Sequence, residues 1–213
     1  RSMDTGQTRE LHVNLQAFNW PRWAPDGRSF VSQGTDAQGR QGIYLIDAQT
    51  GAATPVVTKA TGGNLLHPQW SPDGTRIYYV TNRSDTGEVA MIERTLDSGA
   101  ERDVFRQRGL AGGELSPDGR HVAVWRVDAN EATRPSSTPA RVLLIPTAGG
   151  EPRELLRSTP PTEVFRIHLA WGPGGRSHLA QKHPAGGPQL RSIPIDGGER
   201  RAPVVSRQAL LLP

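Results

Sequence analysis

The sequence of 213 residues predicts an all-β fold built from one small sheet repeated four times. Three observations predict it. A turn phrase recurs, as Trp23-Ala24-Pro25-Asp26-Gly27-Arg28, Trp70-Ser71-Pro72-Asp73-Gly74-Thr75, Leu115-Ser116-Pro117-Asp118-Gly119-Arg120 and, more loosely, Trp171-Gly172-Pro173-Gly174-Gly175-Arg176, with its prolines 47, 45 and 56 residues apart. A run rich in β-branched and aromatic residues follows the phrase, and a second apolar run closed by a glycine turn follows that. A period of this length marks one supersecondary unit repeated along the chain.

The turn comes first in each unit. Proline presets φ for a turn's first corner, aspartate bonds backbone amides just ahead of it, and glycine takes positive φ without steric cost. The tryptophan two residues before the proline is large enough to fill the space between stacked sheets. Next comes a strand, as in Arg76-Ile77-Tyr78-Tyr79-Val80-Thr81 and His121-Val122-Ala123-Val124-Trp125, whose residue types suit a pleated, half-buried surface. A third strand is read in Ile43-Tyr44-Leu45-Ile46-Asp47, Val89-Ala90-Met91-Ile92, Val142-Leu143-Leu144-Ile145 and Leu190-Arg191-Ser192-Ile193. A short fourth strand follows the glycine turn, as in Ala53-Thr54-Pro55-Val56-Val57 and Arg153-Glu154-Leu155-Leu156. Four short antiparallel strands in about 40–45 residues make the blade of a β-propeller.

The expected architecture is therefore a β-propeller, or part of one, with blades at about 20–61, 67–108, 110–159 and 165–205 in a single domain. The phrase Trp-Ser-Pro-Asp-Gly-x-x-Ile-x-Tyr of the second unit, and Ile-Tyr-Leu-Ile-Asp with its glycine turn in the first, resemble the TolB-type propeller repeat. The resemblance covers roughly residues 20–205. The third unit departs from it with Leu115 in place of tryptophan, and the fourth with Gly174 in place of aspartate. The resemblance implies a bacterial, periplasmic or otherwise extracytoplasmic module that binds a protein or peptide partner. Such propellers also serve as gating domains of serine peptidases and as metal-dependent lyases, which is the enzymatic alternative.

Both termini read as pieces of further blades. Residues 6–13 resemble the last strand of a preceding blade, and Ala209-Leu210-Leu211-Leu212-Pro213 resembles an opening strand. Ring closure by four blades, by a longer ring or by a homodimer satisfies the same pattern, since an open sheet edge invites aggregation. The segment 126–139 breaks the third unit as a loop insertion, and 158–162 marks the crossing to the fourth.

With no cysteine, disulfide and thiol chemistry are excluded. No stretch is long enough to insert in a membrane as a helix. The formal net charge is +4, carried by the second half of the chain. No run of basic residues or interleaved aromatic platform accompanies it, so nucleic acid is not an expected partner. Neither a Gly-x-Ser-x-Gly elbow, a phosphate-binding loop nor a dinucleotide fingerprint is present. No catalytic residue, metal or cofactor is expected. Ser71, Ser116, Asp26, Asp73 and Asp118 recur because every blade needs its turn.

Candidate binding residues come from aligning the units. Three positions before Trp23, Trp70, Leu115 and Trp171 stand Trp20, His67, Gly112 and His168. In a propeller of this type that position opens the innermost strand, near the central channel. His67 and His168 are candidates to line it, and Trp20, Arg22 and Gln69 are candidate contact anchors on the same face. His178 and His183, five residues apart, fall on opposite faces of a strand and suit no chelate.

Overall fold

The computed structural model describes residues 6, 8–58, 65–83, 87–127, 140–157, 169–172, 175, 177–182 and 189–196. Among these residues the regular elements are all β-strands. The first sheet comprises β1 (Ala17–Trp23), β2 (Ser29–Thr35), β3 (Gln41–Asp47) and β4 (Ala53–Thr58), hydrogen-bonded in that order. The second repeats it with β5 (Leu65–Trp70), β6 (Arg76–Arg83), β7 (Glu88–Thr95) and β8 (Glu101–Arg108). The third consists of β9 (Leu110–Leu115), β10 (His121–Val127), β11 (Ala140–Pro146) and β12 (Arg153–Arg157). The fourth has three described strands, β13 (Leu169–Trp171), β14 (Ser177–Lys182) and β15 (Gln189–Pro194). Two compact units share the chain, one formed by Arg1–Thr86 and Met91–Asp103, the other by Gly87–Ala90 and Val104–Pro213.

The repeated turn folds by local bonds. The carboxylates of Asp26, Asp73 and Asp118 accept the backbone N–H groups of Arg28, Thr75 and Arg120 at 2.9–3.0 Å. Gly27, Gly74 and Gly119 take φ of 69–71°. Ser71 and Ser116 donate their hydroxyls to the aspartates and accept the N–H groups of Arg76 and His121. These bonds to the ionised form, the serine hydroxyls foremost, hold the carboxyls of Asp73 and Asp118 below the ordinary aspartate range.

The most deeply buried side chains lie mainly on the middle strands. Val31, Ile43 and Ile46 in the first sheet, Ile77 and Met91 in the second, and Val122, Val124 and Ile145 in the third are almost wholly excluded from solvent. A strand covered on both faces reads as a continuous apolar run, which is how these segments look in sequence. One core cluster in the first unit joins Phe30, Tyr44 and Ile46 to Leu11, Val13 and Leu15. Residues 8–13 thus form no strand, contrary to the expectation for the segment 6–13. They have no ladder partner among the described residues, and Leu11, Val13 and Leu15, two apart, lay one apolar face on the first sheet instead. In the second unit Ala123, Val142, Leu144, Leu155, Leu156 and Ile193 form a core, with Trp125 and Trp171 packed against it.

Candidate functional site

A bulge opens each of the first two sheets, and proline explains it. On β1 the register passes from Asn19 opposite Gln33 to Arg22 opposite Val31. Residues 20 and 21 therefore oppose one residue of β2. On β5 it passes from Leu66 opposite Val80 to Gln69 opposite Tyr78, so 67 and 68 oppose Tyr79 alone. Pro21 and Pro68 cannot donate to a ladder, and a bulge is where a strand tolerates such a residue. The Ser32 hydroxyl donates to the Asn19 carbonyl at 2.7 Å beside the first bulge.

The residue before each proline takes the left-handed conformation. Trp20 has φ 52° and His67 φ 54°, and they are the non-glycine residues with positive φ among those described. A bulky side chain in that region is strained, at a cost of about 1–3 kcal/mol, and persists only where its surroundings over-determine it. The third sheet supplies the contrast. Gly113 stands in place of the proline, Gly112 and Gly113 pair with Trp125 and Val124, and the register shift falls instead at Ala111, between Gly112 opposite Trp125 and Leu110 opposite Arg126. A Cβ on Gly112 would meet the Trp125 indole at 2.2 Å. The indole of the neighbouring strand occupies the space beside Gly112, where its own side chain would begin.

The two bulges bring Trp20 and His67 face to face. Their rings stack with centroids 4.5 Å apart and planes at 30°. Trp20 remains 46% exposed, so one side of the stack is open to a partner. Arg22 is exposed on the same strand. Burial, and secondly the Arg22 charge, push the His67 imidazole below its ordinary pKa of 6.5. It is therefore neutral near pH 7, and the platform is an aromatic pair beside one guanidinium.

Of the five candidate residues, Trp20, Arg22 and His67 come together here. Gln69 is buried, which withdraws it from a contact surface. His168 lies outside the described residues, as do His183, residues 128–139 and 158–162, and the segment 209–213. No group of three or more His, Cys, Asp or Glu suited to a metal ion occurs among the described residues.

Sequence reasoning missed two features. Phe18 and Trp23 join Trp20 as exposed large hydrophobics on β1, although Trp23 occupies the position assigned to filling between sheets. Trp70 and Trp171 behave differently: their indole N–H groups donate to the carbonyls of Arg22 and Glu114, each at 3.0 Å. The second feature is an ionic cluster around the buried Glu93 carboxylate. The Glu93 carboxylate accepts the Tyr78 hydroxyl and both Arg102 Nε and a terminal nitrogen, at 2.9 and 2.7 Å, with Arg76 at 3.8 Å. Burial opposes the charge on Glu93, but Arg102 and Tyr78 outweigh it and hold the carboxyl below its ordinary range. The tyrosine, arginine and glutamate lie on three successive strands, and no local spacing announces them.

Comparison with known proteins adds the following. No family model matches the chain. An uncharacterized protein of Agrobacterium fabrum is 34% identical over 146 residues, 68% of this chain and 48% of that protein. The Tol-Pal system protein TolB of Sodalis glossinidius is 38% identical over 76 residues, 36% of this chain and 17% of TolB. The matches thus span half or less of the relatives' own lengths. Among solved structures, an Agrobacterium tumefaciens protein provisionally named TolB superposes with a TM-score of 0.64 at 19% identity. That superposition covers 89% of this chain and 67% of the other.

Proposed function

We propose, for a chain that belongs to the TolB-like β-propeller family, a non-catalytic role as a rigid scaffold that binds a protein or peptide partner through the Trp20–His67 platform. The observation that carries this reading is the stack itself, built from two strained bulges and left open on the Trp20 side. Backbone strain is retained where it positions something, and here it positions two aromatic rings beside Arg22. Aromatic and arginine side chains are the usual anchors of protein interfaces. A rigid sheet presents them already ordered, so little entropy is lost on binding. A partner with an apolar or aromatic side chain for Trp20 and a carboxylate for Arg22 fits the chemistry. The likeness to a Tol-Pal system protein supports a protein partner, and with it an extracytoplasmic location.

The test is capture on the immobilised chain from a periplasmic extract, repeated with a Trp20→Ala/Arg22→Ala double variant. A partner retained by the parent chain should be lost at least tenfold in the variant, as the removal of two anchors requires. Undiminished capture by a folded variant would reject the platform as the binding site.

A further inference from the structure

We propose that Asp26-Gly27 is a site of spontaneous covalent modification, where the aspartyl linkage rearranges to isoaspartate while the same step in the next two turns is held against it. An aspartate precedes a glycine in three turns of one shape, at 26–27, 73–74 and 118–119. A fourth such step, at 196–197, reaches outside the described residues. In each of the three the glycine N–H donates to the carbonyl three residues back, of Ala24, Ser71 or Ser116, at 2.8–3.0 Å. The glycine φ is 69–71° in each, and each aspartate is exposed. The backbone therefore treats the three steps alike.

The hold on the carboxylate is what differs. Among the described residues, Asp26 accepts one hydrogen bond, from the Arg28 N–H. Asp118 accepts two, from the Ser116 hydroxyl and the Arg120 N–H. Asp73 accepts four, from the Ser71 hydroxyl, the Thr75 N–H and hydroxyl, and the Arg76 guanidinium. Ala24 stands where the other two turns have Ser71 and Ser116, which are each only 2% exposed. Their hydroxyls thus meet the carboxylates with little competition from water. Every one of these partners belongs to the aspartate's own turn. The difference does not depend on what packs against any sheet, nor on the Trp20–His67 platform.

In the rearrangement the Gly27 nitrogen attacks Cγ of Asp26 and gives up its proton, and the carboxyl OH leaves with that proton as water. The five-membered imide so formed then takes up one water. Opening at the former main-chain carbonyl leaves the chain running through Cγ and frees an α-carboxylate. One water is lost and one regained, with no oxidant or co-reactant. Two conditions govern the first step. The carboxyl must turn from its partners toward the glycine amide, and it must be protonated, because an ionised carboxylate is a poor electrophile. Charge-assisted bonds are the strong ones, and bonds to the charged form favour it. The Ser71 and Ser116 hydroxyls foremost hold Asp73 and Asp118 below the ordinary aspartate range. Both conditions are therefore met least readily in the second and third turns.

Peptide mapping of the full chain after prolonged incubation near neutral pH tests it. Trypsin releases residues 23–28, 60–76 and 109–120 as separate fragments, each with one of the three steps. Isoaspartate is read as a second peak of unchanged mass that an aspartate-specific protease no longer cuts. In the folded chain it should accumulate in 23–28 at least about tenfold faster than in 60–76, the worth of one hydrogen bond to a charged group, with 109–120 between them. Ala24→Ser supplies the missing hydroxyl and should slow the first site toward the rate at Asp118, and Ser71→Ala should quicken the second. In concentrated urea, where no turn is held, the three fragments should convert at similar rates. Equal rates in the folded chain overturn the proposal, as does an Ala24→Ser chain that isomerises as fast as the parent. A difference that persists in urea overturns it too, because neighbouring residues and not the fold would then set the rates. Should Ser71→Ala fail to fold, Ala24→Ser decides alone.

Discussion

Replacing His67 by alanine and, separately, by glycine isolates the backbone strain on which the candidate platform rests. Both substitutions remove the imidazole, its stack on Trp20 and its share of burial, so those losses cancel in the comparison. Only the main chain distinguishes the two variants. At an ordinary negative φ, glycine is the less stable of the pair by about 0.5–1 kcal/mol, because it loses more freedom on folding. At the φ of 54° seen here, alanine carries a left-handed penalty of about 1–2 kcal/mol that glycine escapes. The sign therefore reverses, and the His67→Gly chain should be the more stable by about 0.5–1 kcal/mol. Pro68 must be kept, since it bars the preceding residue from relaxing into the right-handed region. Urea unfolding followed by circular dichroism provides the measurement, read as the difference in midpoint at a common slope. The same pair at Trp20 repeats the test in the first sheet. An alanine variant as stable as its glycine counterpart at both positions would refute the reasoning, because neither backbone would then be held left-handed in solution.

Two other consequences follow from the same geometry. Glu93→Ala deprives the buried Tyr78 hydroxyl of its acceptor and leaves Arg102 and Arg76 without their shared carboxylate. A loss of about 3 kcal/mol is expected in denaturant unfolding, the low end for breaking a buried pair because Arg102 is half-exposed; a loss under about 1 kcal/mol would mean the cluster holds nothing together. The third consequence concerns pH. The folded-state pKa of His67 lies below its ordinary 6.5, so the unfolded chain binds that proton more readily and the contribution of His67 is full above about pH 6.5 and is lost as pH falls through the folded value. Thermal unfolding of the parent chain should therefore weaken between about pH 7 and pH 5 by more than that of His67→Phe; equal losses in the two chains would show that the imidazole does not titrate in this window.

What the sequence by itself determined is local. The Pro-Asp-Gly turns form from bonds between a carboxylate and an amide two residues on, and from one residue's tolerance of positive φ. Neither needs a distant partner, so the place of Asp26, Asp73 and Asp118 follows from the sequence alone. The repeated sheet was legible for the same reason, because its strands follow each turn at nearly fixed spacing. The bulges have a local cause visible in the sequence: Pro21 and Pro68 inside opening strands forbid regular pairing at their position, and Gly113 in the third copy permits it there, the register shift falling at Ala111 instead. Only the tertiary structure decided what each opening strand does with its side chains. Trp20 and His67 meet because two separate sheets bulge at the same height, while the equivalent space in the third sheet is taken by Trp125 from the neighbouring strand. Gln69 and Arg22 occupy the same repeat position, yet one is buried and the other exposed. Trp23, Trp70 and Trp171 share one motif and differ in fate, since an indole is satisfied only where another sheet brings a carbonyl to it. Glu93 and its partners converge from three strands. Contacts of this kind depend on which distant segments lie side by side, and a repeat that looks the same in every copy cannot say which of its faces will be covered.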